Sequence, residues 1–517
     1  MTRPIASSLT RRSFLTGGAA MGALAVSGGW NRALAAPLLS VESVTLDVNG
    51  KAAKVFAVKG LAGEGIFAKE GDRLSGAVLN ASDTPAVMHW HGQLFAPADQ
   101  DRARPGGGEL APGGTDQVDF LLTPGTHWMH SHTLSEQQLL AAPLVTREAD
   151  AGDVQDVVVM LHDFSFRSPE EILARLGGSS AHGGHGMGGS MQGMAVPGMG
   201  HAGHGSSGMG GMGAMGGGAM GGGISASPPA GQMSHGMGGG MPGGMAGGMM
   251  AHANDVDYDA FLANRRTLAD PEVAQVEKGS RVRLRIINGG TATAFFISVP
   301  GLKPRCIAVD GSPCVPVEAD AFPLAQGQRV DLIVNIPAGG GAFPVLAQVE
   351  ASPRRTGLVL ATAGASVARI AEGADRPQGL VDLTFEARLA ATKPLAPRKA
   401  DRVFPIMLGE EAGYRWTING RIHTEAEPLV VSPGERVEMT FMNPTTMSHP
   451  MHLHGHHFQV VGIGGKRFPG AVRDTVMVPP QMSVTITFDA GPKGEWFLHC
   501  HHLYHMATGM MAVVKVA

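Results

Sequence analysis

The sequence predicts an all-β protein built of several β-sandwich domains. Three observations predict it: short runs of alternating apolar and polar residues recur along the chain, Gly and Pro punctuate them, and 517 residues exceed one ordinary core. That length implies two to four domains. Apolar residues make up 43% and charged residues 16%, the balance of a soluble globular chain. A formal charge of −4 gives no basic face for nucleic acid or an anionic membrane. Gly (75) and Met (29) are both abundant, and the excess is local.

Residues 1–36 read as an export signal and not as part of the fold. Thr10-Arg11-Arg12-Ser13-Phe14-Leu15 is a twin-arginine motif, a weakly apolar stretch follows from Gly17 to Gly29, and Ala33-Leu34-Ala35 offers a cleavage site. The mature chain is expected to start near Ala36 in the periplasm, exported by the twin-arginine machinery. No later run of about twenty apolar residues suggests a membrane span.

Strand patterns begin at Val41–Val48 and recur at Arg281–Ile287, Arg329–Val334, Arg436–Phe441 and Ser483–Phe488. A helix is expected over Ser168–Leu176, with Ser168 as cap, Pro169 at the first position and acids in the first turn. Residues 178–252 break the pattern. This Gly-rich insert holds fourteen of the 29 methionines, with His182, His185, His201, His204, His235 and His252. It lacks apolar periodicity and is expected to be disordered. Three domains follow, at 37–150, 151–395 with the insert inside, and 396–517. Cys306 and Cys314 flank the turn signal Asp310-Gly311, so they could form a disulfide across a hairpin or remain two buried thiols.

Four segments carry the chemistry: His89-Trp90-His91-Gly92, His130-Ser131-His132, His449-Pro450-Met451-His452-Leu453-His454-Gly455 and His499-Cys500-His501. Each contains two histidines spaced two residues apart. In a strand such residues share a face, so each pair presents two imidazoles side by side. Imidazole suits copper, and eight converging imidazoles would hold a multi-metal cluster. If His499 and His501 face one way, Cys500 faces the other and belongs to a separate site. His505 lies five residues on and Met510 ten, and His449 arrives from the earlier segment. Two histidines, a cysteine and a weak axial methionine make a blue-copper electron-transfer centre. An isolated HxH is more often surface or core, but four pairs with the C–x4–H–x4–M tail are specific. Zinc accepts the same residue types but has no redox chemistry and no use for this spacing.

In these motifs the chain resembles the three-domain multicopper oxidases, which include laccases and bacterial copper-efflux and copper-resistance oxidases. The resemblance implies three cupredoxin-like Greek-key sandwiches and four copper ions. By it, type 1 copper would be held by His449, Cys500 and His505 with Met510 axial, and type 2 by His89 and His452. One type 3 copper would take His91, His130 and His501, and the other His132, His454 and His499. Asp101 resembles the acid that delivers protons to the cluster, with Asp99 as a rival because the loop is one residue longer than usual. Asp474 resembles another acid common in the family. Met506 stands where copper-efflux oxidases often carry an acid, so the chain departs from that pattern here. His456, His457 and His502 fall off the matched positions and read as supporting or surface groups, and His127 as buried packing.

The resemblance and the soft thioethers of the insert, which select Cu(I), imply oxidation of Cu(I) coupled to four-electron reduction of O2 to water. A laccase-like oxidase of phenols shares the same copper sites. A copper-binding or storage protein is the rival of another class, and intact ligand positions argue against it. Copper nitrite reductases lack the full set of HxH pairs. A monomer is expected.

Overall fold

The computed structural model describes residues 38–179 and 253–517. The expected signal peptide, and the expected disordered insert from residue 180 on, lie outside the described residues. The alternating runs are strands, at Leu39–Val48, Arg281–Asn288, Arg329–Asn335, Arg436–Met442 and Ser483–Asp489. The expected helix runs over Pro169–Ser179, so it continues two residues into the stretch read as insert. Ser168 Oγ accepts from Glu171 N, and Glu171 Oε2 accepts from Ser168 N, both at 3.2 Å. This reciprocal pair satisfies two amides that the first turn leaves open.

Six sheets form among the described residues, two in each third of the chain. The same connection recurs three times. Leu39–Val48 pairs parallel with Arg73–Asn80, Gln155–Phe164 with Arg281–Asn288, and Arg402–Glu411 with Arg436–Met442. In the companion sheets Ile66–Lys69 pairs parallel with Ala141–Arg147, Val273–Val276 with Arg355–Thr362, and Leu429–Val431 with Met511–Val516. Parallel neighbours need a crossover, which here carries the chain from sheet to sheet and closes each sandwich. One core cluster joins both sheets of the first sandwich, through Val41, Phe56 and Val78 on one and Met88, Met129 and Leu144 on the other. A larger cluster runs through the other two sandwiches, from Val157 to Val516. These are three cupredoxin-like domains.

Cys306 and Cys314 are buried free thiols with sulfurs 3.7 Å apart. No helix among the described residues is long and apolar enough to cross a membrane.

Candidate metal centre

Two strand pairs build the centre. In the first domain Met88–His91 pairs with Gly125–Ser131, with His89 opposite His130. In the last domain His449–Leu453 pairs with Gly494–Cys500, with His452 opposite His499 and Met451 opposite Cys500. Alternation sorts the side chains. His452 and His499 face one side, while His449, two residues from Met451, shares the other with Cys500.

On the first side the histidines of both domains meet. His89 Nε2 lies 3.3 Å from His452 Nε2, and His91 Nδ1 lies 3.4 Å from His130 Nε2. His499 Nε2 lies 3.2 Å from His132 Nε2 and 3.0 Å from His454 Nε2. The His501 ring stands 5.0 Å from His130 and 5.2 Å from His91, centre to centre. All eight expected imidazoles are therefore together. Gly327, at φ +79°, lets the backbone pass the His501 ring, where a Cβ would come within 2.5 Å.

The nitrogens on the far side of these rings are held by acceptors. His89 Nδ1 donates to Asp101 Oδ2 at 2.7 Å, His452 Nδ1 to Asp474 O at 2.8 Å, and His454 Nδ1 to Ala103 O at 3.2 Å. His499 Nδ1 donates to Cys500 O at 2.9 Å, and His130 Nδ1 lies 3.2 Å from Glu136 Oε2. With one nitrogen protonated outward, the other turns a lone pair inward. Burial, followed by the neighbouring imidazoles, lowers the pKa of His89, His454 and His499 well below the ordinary value, and brings His132 to about 3. Facing lone pairs repel unless a cation lies between them. Two nitrogens each about 2.0–2.1 Å from one ion stand roughly 3.3 Å apart at a tetrahedral angle, close to the observed spacings. The residues fit metal ions.

On the second side His449, Cys500 and His505 converge, all buried. Cys500 Sγ lies 3.7 Å from His449 Nδ1 and 3.8 Å from His505 Nδ1, and the two nitrogens are 3.2 Å apart. Burial raises the Cys500 thiol, an effect that a bound cation reverses by taking the thiolate. Met510 is fully buried beside this group, its carbonyl accepting from Cys500 N at 3.0 Å. A thiolate with two imidazoles is a soft set suited to copper.

Asp101 is buried, and burial pushes its carboxyl up to about 7, while Asp99 is exposed. Asp474 Oδ1 lies 3.1 Å from His91 Nε2 and accepts from Arg329 Nη1 at 2.6 Å. His456 and His502 are buried rather than at the surface, and so is His127, as expected. Sequence reasoning passed over Glu136, Arg329, Trp416, Tyr414 and Asp255. Asp255 Oδ1 accepts from His502 Nε2 at 3.1 Å, its Oδ2 lies 3.7 Å from His505 Nε2, and Tyr414 Oη donates to it.

Sandwiches of mixed sheets enclosing a thiolate–imidazole site and an eight-imidazole pocket define a cupredoxin-fold copper protein. Three models of the multicopper oxidase family match, over residues 40–148, 236–368 and 396–517, covering well over half of the sequence. The chain belongs to the multicopper oxidase family, a family of oxidoreductases. It is 28% identical over 453 residues to multicopper oxidase MmcO of Mycobacterium tuberculosis, covering 86% of this chain and 79% of that one. It is 24% identical to copper resistance protein A of Escherichia coli, over 98% of this chain and 99% of that one. The solved laccase of Botrytis aclada superposes with a TM-score of 0.68 at 22% identity, covering 93% of this chain and 87% of that chain.

Proposed function

We propose that this chain oxidises Cu(I) and passes the electrons to dioxygen, reducing it to water, with four coppers resident. One observation carries the reading: Cys500 faces His449 and His505, while its sequence neighbours His499 and His501 belong to the other pocket. His449, Cys500 and His505 with Met510 would hold type 1 copper, and His89 and His452 type 2. His91, His130 and His501 would hold one type 3 copper, and His132, His454 and His499 the other. Copper, when bound, supplies the one-electron chemistry that side chains lack. The backbone of Cys500 links its sulfur to His499 and His501 through covalent bonds alone. Asp101 orients His89 and is the buried carboxyl placed to pass protons into the pocket.

Two observations favour Cu(I) over a phenol. His505 is fully buried, and Asp255, a carboxylate that attracts a cation, stands at its Nε2 edge. The Met- and His-rich stretch 178–252 ends three residues before Asp255, which puts soft Cu(I) ligands close to it in sequence. We read residues 1–36 as a twin-arginine signal, the domains as 37–150, 151–395 and 396–517, and the working protein as a periplasmic monomer.

Oxygen uptake by copper-loaded protein tests the reading, with Cu(I) or a phenol as donor and with or without residues 180–252. Uptake driven by Cu(I) that falls on deletion, while bulky-phenol turnover rises, is the expected result. Faster phenol turnover untouched by deletion points to a laccase. No uptake with either donor points to copper storage.

A further inference from the structure

We propose that His502 is a positioning residue that fixes the plane of the His505 imidazole, keeping its Nδ1 aimed at the Cys500 sulfur. The inference rests on the reading of His449, Cys500 and His505 as one copper site. A metal-binding imidazole usually has its second nitrogen held by a hydrogen-bond partner, which stops the ring from turning. His449 follows that rule, with Nε2 2.9 Å from Thr445 Oγ1. His505 does not. Its Nε2 is buried with no partner in hydrogen-bond range, and Asp255 Oδ2 stands 3.7 Å away.

Stacking takes the place of the missing bond. The His502 ring lies 3.7 Å from the His505 ring, centre to centre, with planes 11° apart. The Trp416 ring lies 3.9 Å away with planes 29° apart. Two near-parallel rings at under 4 Å cannot share one face, so His505 is held between them. The local sequence makes this possible. His502 flanks the short helix Leu503–Ala507, and residues three apart there lie on one face. Its own amide points at Cys500 Sγ at 3.4 Å, which anchors the residue to the same site.

The clamp is itself held. His502 Nε2 donates to Asp255 Oδ1 at 3.1 Å, and Asp255 also accepts from Tyr414. A side chain that only filled space here could be leucine. A side chain that holds a plane must be flat.

The test compares wild type with His502→Leu, which removes the ring, and His502→Phe, which keeps a ring but loses the bond to Asp255. Two readouts apply: the thiolate-to-copper absorption band with its paramagnetic resonance signature, and copper retention against a chelator. His502→Leu is expected to shift or broaden the band and weaken retention at this site by about tenfold or more. His502→Phe should stay closer to wild type on both. A Leu variant matching wild type in band and retention overturns the proposal. If the Leu variant does not fold, the Phe variant decides: a band as disturbed as that of Trp416→Leu overturns it, and a preserved band supports it. A copper-loaded wild type with no such band overturns the copper-site reading itself, and this inference with it.

Discussion

The carboxylate of Asp101 meets Nδ1 of His89 at 2.7 Å, with both side chains buried. This bond turns His89 Nε2 toward His452 in the domain at the other end of the chain. Replacing Asp101 with Ala leaves His89 free to rotate and removes the buried carboxyl. Oxygen uptake should fall by about 10–100-fold. Anaerobic reduction of the thiolate centre should be unchanged, so stopped-flow bleaching of its colour separates the two effects.

Cys500 supplies the thiolate of one site and the backbone link to the other. Cys500→Ser should abolish the intense visible band and steady oxygen uptake, because a hydroxyl is neither soft nor readily ionised. The eight-imidazole pocket should still take up metal. Copper content by atomic absorption, read beside the visible spectrum, checks both halves.

Arg329 of the middle domain donates to Asp474 of the last, and both are fully buried. Asp474 also touches His91 of the first domain. Arg329→Met would leave an uncompensated charge in the interior and should destabilise the fold by about 3–5 kcal/mol. Adding Asp474→Asn should recover part of that loss. Thermal unfolding of the single and double variants gives the comparison.

Burial pushes Glu350 up to about 7 from its ordinary 4.5, although its Oε1 accepts from Val381 N at 2.6 Å. The folded state therefore holds a proton that the unfolded state releases near 4.5. This contribution to stability is full below that value and is lost as pH rises through about 7. Its size is at most roughly 3 kcal/mol. Glu350→Gln should flatten this part of the profile, and be more stable than wild type at alkaline pH. Chemical denaturation on either side of the window measures it.

The strands and the pairing of the clustered histidines were legible because both follow a period of two. Val41–Val48 reads as a half-buried strand by alternation alone, and the same rule puts His499 and His501 on one face and Cys500 on the other. The groups around them were not legible. Trp416 lies 89 residues before His505, and Asp255 lies 247 before His502. Nothing in their local patterns marks them, since their roles exist only where separate loops meet. The threefold repeat of parallel pairing was hidden for a related reason. Strand pairing follows from packing and crossover geometry, which quite different sequences satisfy.

The eight-imidazole pocket takes four imidazoles from the first domain and four from the last. A chain still being synthesised, or one that has lost its final strands, has only half a nest for metal. If the proposed coppers fill this pocket, oxygen chemistry would be withheld from every incomplete molecule, and the finished fold would act as its own licence to react.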